Sequence, residues 1–199
     1  VDRPEQLSCY NFSLNGTVDR SKKVIELKGI STYYNGSPAV HDVSVTIRGN
    51  ERLHVSGANG AGKSTLLSLM AGLATQDSGE ILAGDNIQIG YFAQESDALD
   101  STKTARENIE QFCNDPTRIY RAASHFGLTS NDLKKYPPEL SRGQQAKLAF
   151  TKLLLGNFQL LILDEPTNHL DIPTKERLES ALRYYQGALA IASHDRYFM

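Results

Sequence analysis

Residues 57–65 read Gly-Ala-Asn-Gly-Ala-Gly-Lys-Ser-Thr, the spacing G-x-x-x-x-G-K-[ST]. Those residue types in that order suit a nucleoside triphosphate. Gly57, Gly60 and Gly62 let successive backbone N–H groups curl around phosphate oxygens, with Asn59, Ala61 and Thr65 completing the loop. Lys63 puts a point charge on the outer phosphates and Ser64 offers its hydroxyl to Mg2+. Downstream, the apolar run Leu160-Leu161-Ile162-Leu163 ends in Asp164-Glu165. Asp164 is placed to coordinate Mg2+, and Glu165 is a candidate general base for the attacking water. Three further groups stand where they could complete such a site. Gln94 follows an apolar strand and can reach Mg2+ or water. Ser141, Gly143 and Gln144 open a helix whose positive end can meet a terminal phosphate. His194 follows another apolar strand and could contact the γ-phosphate.

The elements that must position these residues can be read from periodicity. Residues 51–56 read as a strand running into the loop, and residues 65–72 as a helix ending at a glycine stop. Residues 24–33 and 39–48 alternate and are predicted to pair antiparallel through the turn Asn35-Gly36-Ser37-Pro38. Residues 87–92, 160–163 and 188–192 are short and apolar, and the last two lack polar alternation, as strands buried on both faces of a parallel sheet do. Helical spacing covers 104–113, 116–126 and 142–155, which makes 96–139 a mostly helical insertion. Residues 1–23 are polar and read as a linker or arm, with Tyr10, Phe12 and Leu14 suggesting one short strand.

Composition narrows the class further. A chain of 199 residues suits one α/β domain, burying about 70% of the surface its unfolded form exposes. Cys9 and Cys113 are too few and too distant in sequence for a disulfide frame or a metal site and read as reduced thiols, which points to a cytoplasmic location. No run of apolar residues has the length of a membrane span. The net charge of −2 offers no broad basic field for nucleic acid.

In this order the motifs resemble the nucleotide-binding domain of an ABC ATPase. The resemblance covers nearly the whole chain from residue 24 and implies an α/β P-loop NTPase: a parallel core sheet, an antiparallel β subdomain and a helical subdomain at about 96–157. Residues 57–65 match Walker A, Gln94 the Q-loop, and residues 140–144 the LSGGQ signature. Residues 160–164 match Walker B, with Glu165 as catalytic glutamate; Leu170-Asp171 matches the D-loop and His194 the switch histidine. Tyr34 falls where the family stacks an aromatic on adenine, with Tyr33 as the alternative. Arg142 departs from the signature consensus at a position the family varies, while Ser141 and Gly143 are intact.

The strings Glu-Pro-Thr-Asn-His-Leu-Asp at 165–171 and Ser-His-Asp-Arg-Tyr-Phe at 193–198 resemble the ABC-F group. That resemblance implies a second ABC domain as partner, no membrane insertion, and action on the ribosome in translation or antibiotic resistance. It implies ATP and Mg2+ as ligands and a composite site. Walker A, Walker B, Gln94 and His194 hold the nucleotide, while Ser141, Gly143 and Gln144 complete the site of the partner domain, so that two domains close on two ATP molecules. Residues 1–23 then read as the end of an interdomain linker, residues 24–199 as the second ABC domain, and Met199 as a point where family members continue. The alternative is the energising subunit of a membrane transporter.

Overall fold

The fold is that of a computed structural model, described over residues 14–93, 99–168 and 170–193. It begins with a hairpin. Strands β1 (Lys23–Tyr34) and β2 (Ser37–Arg48) run antiparallel and turn on two residues, Asn35 and Gly36. Both have positive φ, 50° and 79°, as a primed two-residue turn requires. The strict alternation expected for β1 is broken. Val24 and Ile25 are both buried because the register shifts between Lys23 and Ile25, and such an irregularity re-aims the side chains beyond it.

Strand β3 (Arg52–Val55) leads into the glycine loop, which hands over to helix α1 (Lys63–Met70). The helix starts two residues earlier than its sequence suggests and stops by a left-handed glycine. Gly72 N donates to Leu69 O and Leu73 N to Ser68 O, with Gly72 at φ 71°. Strand β4 (Ser78–Ala83) then pairs antiparallel with the other edge of β1. This strand has no apolar alternation and is largely exposed. It exists because β1 supplies its hydrogen-bond partners.

Strand β5 (Ile89–Phe92) is followed by the helical segment: α2 (Ala105–Glu110), α3 (Pro116–His125) and α4 (Arg142–Leu155), with 3-10 turns at Asp132–Lys134 and Pro137–Glu139. The chain returns through β6 (Leu160–Asp164), α5 (Ile172–Tyr184) and β7 (Ala188–Ala192). Helix α5 is an addition to the elements read from periodicity. Its signals are present in the sequence: an Asp171 cap, Pro173 in the first turn, and Leu178, Ala181 and Leu182 on one face.

Four strands form an all-parallel sheet in the order β3-β7-β6-β5, and β2-β1-β4 form the antiparallel sheet. The parallel sheet divides two cores. Leu161, Leu163, Leu189 and Ile191 face the helical segment, whereas Leu160, Ile162, Ala188, Ala190 and Ala192 face α1 and the antiparallel sheet. The three alanines of β7 leave room for α1 to lie close. Among the described residues no helix is long and apolar enough to cross a membrane.

Within the stretch read as an arm, residues 14–16 belong to the domain. Leu14 is buried in the core shared with the helical segment, and Asn15 O accepts from Phe158 N at 3.1 Å. Gly16 lies so close that a Cβ would overlap the Phe158 carbonyl. Tyr10 and Phe12, the rest of the strand suggested there, lie outside the described residues.

Candidate functional site

The register of the parallel sheet brings the separate motifs to one edge. Val55 lies opposite Ala192, Ala192 opposite Asp164, and Phe92 opposite Leu163. Consequently the loop after β3, Ser193, Glu165 and Ala93 leave the carboxyl ends of four adjacent strands in one row. That edge is where open α/β sheets bind ligands. Gln94 and His194 follow directly in sequence on β5 and β7 but lie outside the described residues.

The glycine loop is exposed from Gly57 to Ala61. Gly60 and Gly62 have φ of 79° and 87°, a region costly for any residue with a Cβ. At Gly62, which caps α1, a Cβ would also run into the Ala39 carbonyl of β2. Lys63 Nζ donates to Gly57 O at 2.9 Å and Ala58 O at 3.1 Å, so its ammonium lies across the loop mouth. Among the described residues, α1 has no side-chain cap on its first N–H groups and no acidic residue in its first turn. Ser64 is exposed on that turn and Thr65 is half-buried beside it. An uncapped N-terminus with a lysine over it presents positive potential to phosphate.

Asp164 ends β6 only 4% exposed, and its Oδ1 is buried with no hydrogen-bond partner among the described residues. A buried carboxylate oxygen without a donor is costly unless a cation or water satisfies it. With Ser64 at the start of the neighbouring helix, the oxygens present fit Mg2+, which takes few protein ligands and the rest from phosphates and water. Glu165 is 7% exposed and has φ 46°. A non-glycine residue there costs about 1–2 kcal/mol. Glu165 N donates to Ala192 O at 2.8 Å, so strand β7 helps hold the strained turn. Next to it on β3, His54 Nε2 is 3.2 Å from Ser193 O.

The signature turn is built differently. Ser141 caps α4 in a reciprocal box: Gln144 N donates to Ser141 Oγ at 3.2 Å and Ser141 N to Gln144 Oε1 at 3.0 Å. Gly143 lies between them in the first turn of α4. Asp171 caps α5 through Thr174 N at 2.9 Å, and its other oxygen meets Lys147 Nζ of α4 at 2.6 Å. The Lys147 ammonium and Thr174 together hold the Asp171 carboxyl down at about 2. Lys147, His54 and Asp132 were not singled out by the motifs, since each acts through a contact remote in sequence. Tyr34 ends β1 beside the hairpin turn and is 57% exposed; Tyr33 is 44% exposed, with its N–H on Asp77 Oδ2 at 2.7 Å.

Comparison with known proteins agrees with this arrangement. The family model described as ABC transporter matches residues 40–168. ABC transporter F family member 5 of Arabidopsis thaliana is 38% identical over 192 residues, 94% of this chain and 28% of that protein. The ribosome protection protein VmlR of Bacillus subtilis (strain 168) is 32% identical over 189 residues, 94% of this chain and 34% of that protein. The chain thus spans only part of the length of the curated relatives it matches. Among solved structures, the dimeric post-hydrolysis state of the ATP-binding cassette MJ0796 bound to ADP and Pi superposes with a TM-score of 0.74 at 22% identity. That match covers 87% of this chain and 89% of that one and shows the same fold.

Proposed function

Because this chain belongs to the ABC transporter family of ATPases and has F-family relatives, we propose that it is one ATP-hydrolysing half of a two-domain clamp that acts on the ribosome. The observation that carries the ATPase part is the shared edge of β3, β7, β6 and β5. That edge sets the glycine loop beside Asp164 and Glu165. The loop N–H groups and Lys63 bind the β and γ phosphates. Ser64 and Asp164, with Gln94, would hold Mg2+, which would supply positive charge to the phosphates. Glu165 takes the proton of the attacking water, with His194 next to the γ-phosphate. Tyr34 stacks on adenine. Ser141, Gly143 and Gln144 face the triphosphate held by a second ABC domain, adding the helix dipole of α4, and Asp171 lies near that junction. Hydrolysis removes the charge that favours the closed pair, so nucleotide shifts a population between closed and open clamps.

The ribosomal target rests on likeness to F-family proteins and to a ribosome protection protein, and it implies a cytoplasmic location, in translation or in antibiotic resistance. Glu165→Gln in the natural polypeptide, with the matching glutamate of any second ABC domain changed too, keeps the phosphate ligands and removes the base. The trapped form is expected to bind ATP, stop hydrolysing it, and co-sediment with ribosomes only when ATP is present. Adding Lys63→Ala should abolish that co-sedimentation. Recovery of the trapped form with membranes, leaving ribosomes unoccupied at saturating ATP, would replace the ribosomal reading with that of a transporter subunit.

A further inference from the structure

Asp132 is 6% exposed in the turn between α3 and α4, and among the described residues its carboxylate accepts from four donors. Oδ2 accepts from Thr129 N at 2.9 Å and Thr129 Oγ1 at 2.6 Å. Oδ1 accepts from Gln144 Nε2 at 2.9 Å and Lys135 Nζ at 3.2 Å. These donors, Thr129 foremost, hold the carboxyl below its ordinary range, so it stays ionised at neutral pH.

An ionised carboxylate donates nothing. Only the NH2 side of the Gln144 amide can therefore face Asp132, and the carbonyl side must point the other way. There it accepts Ser141 N at 3.0 Å and closes the capping box. We propose that Asp132 is a positioning residue: acting through the Gln144 amide, it sets the orientation of Ser141 toward the triphosphate that a partner domain holds. This rests on the two-domain reading above. Neither oxygen of Asp132 touches nucleotide in that arrangement. Its effect is to keep the signature serine and the first turn of α4 from relaxing when the domains separate.

The donor pattern makes the inference testable by exchange. Asp132→Asn keeps an acceptor for Thr129 but turns an NH2 toward the NH2 of Gln144; if Gln144 flips to meet it, two donors meet at Ser141 N. Gln144→Glu keeps an acceptor for Ser141 N but sets two carboxylates at the spacing now bridged by a hydrogen bond. The two changes together restore a donor and an acceptor at the Thr129, residue 144 and Ser141 contacts; the Lys135 ammonium, which met the same oxygen, loses its acceptor there.

The turnover number and the affinity for a fluorescent ATP analogue should be measured in the natural polypeptide for both single variants, the double variant and Lys63→Ala. Each single change is expected to lower turnover about tenfold, since small displacements of a positioning group have effects of this size or more. Affinity for the nucleotide held by this domain's own loop should be unchanged, because residues 57–65 are untouched. The double variant should turn over faster than Gln144→Glu alone, the coupling expected of groups in direct contact, while the carboxylate it keeps toward the partner's triphosphate holds it below the parent. Parent turnover in Asp132→Asn would overturn the proposal, as would a double variant no faster than Gln144→Glu. The second comparison stands even if Asp132→Asn alone does not fold. Survival of hydrolysis in Lys63→Ala would instead overturn the ATPase reading.

Discussion

Two helix N-termini meet phosphate in the proposed site, and they are finished in opposite ways. Helix α1 is left open: among the described residues it has no side-chain cap and no acidic first-turn residue, and Lys63 leans across the loop onto Gly57 and Ala58 carbonyls. Helix α4 is closed, with a reciprocal cap between Ser141 and Gln144 and a buried carboxylate behind it. The open end has N–H groups to give to a ligand, and its left-handed turns at positions 60 and 62 are taken by glycines, for which that backbone is unstrained. The closed end caps its own Gln144 N–H, so it is held in one conformation and offers a partner the Ser141 hydroxyl and a helix dipole. In the proposed site one terminus would bind and the other would be presented already formed.

The comparison breaks most sharply at Gly62. Gly62→Ala places a Cβ at φ 87° and against the Ala39 carbonyl. Left-handed strain and overpacking together should cost about 2–4 kcal/mol of stability, read from urea unfolding, with nucleotide binding lost in titration. A variant with parent stability and affinity would mean the open terminus tolerates a conformation these contacts forbid.

On the closed side the expected effects are smaller and spread over several contacts. Lys147→Ala removes the ion pair from α4 to Asp171, whose side chain is 52% exposed. The loss should therefore be about 0.5 kcal/mol at neutral pH, in the range of surface pairs. Its sign with pH follows from the lowered carboxyl. The contribution is fully present above the ordinary aspartate range and fades as pH falls toward about 2, where Asp171 protonates in the folded state. Unfolding of parent and variant across acid pH checks it, and a difference growing toward low pH would contradict the pairing.

Tyr34→Ala is the mildest change. It deletes one exposed ring at the end of β1, so adenine-nucleotide affinity should fall severalfold, on the order of 1 kcal/mol, with stability unchanged. If Tyr33→Ala has that effect instead, adenine stacks on the neighbouring ring.

Legibility followed the distance between interacting residues. The loop at 57–65, the hairpin turn at Asn35-Gly36 and the helix from Arg142 to Leu155 are written in contiguous residues, because a turn needs its own φ and a cap reaches only three residues on. Strand β4 was missed because its largely exposed residues gain their order from β1. Helix α5 was missed although its cap and its apolar spacing were both present. The burial of Leu14 could not be read from an apolar residue in a polar stretch, since the core it joins is assembled from residues remote in sequence.

By itself the sequence determined the local arrangements: a glycine-rich loop ending in Lys63, an Asp164-Glu165 pair after an apolar run and a capped helix start at Ser141, because each is a short-range arrangement of residue types. Only the tertiary structure decided how they act together. Parallel register put Val55, Ala192 and Asp164 in one row, and β7 took the N–H of Glu165 as that residue turned to positive φ. Asp132 took Gln144 from 12 residues away. Each of these depends on hydrogen bonds between segments brought together by two hydrophobic cores, and no local propensity encodes them.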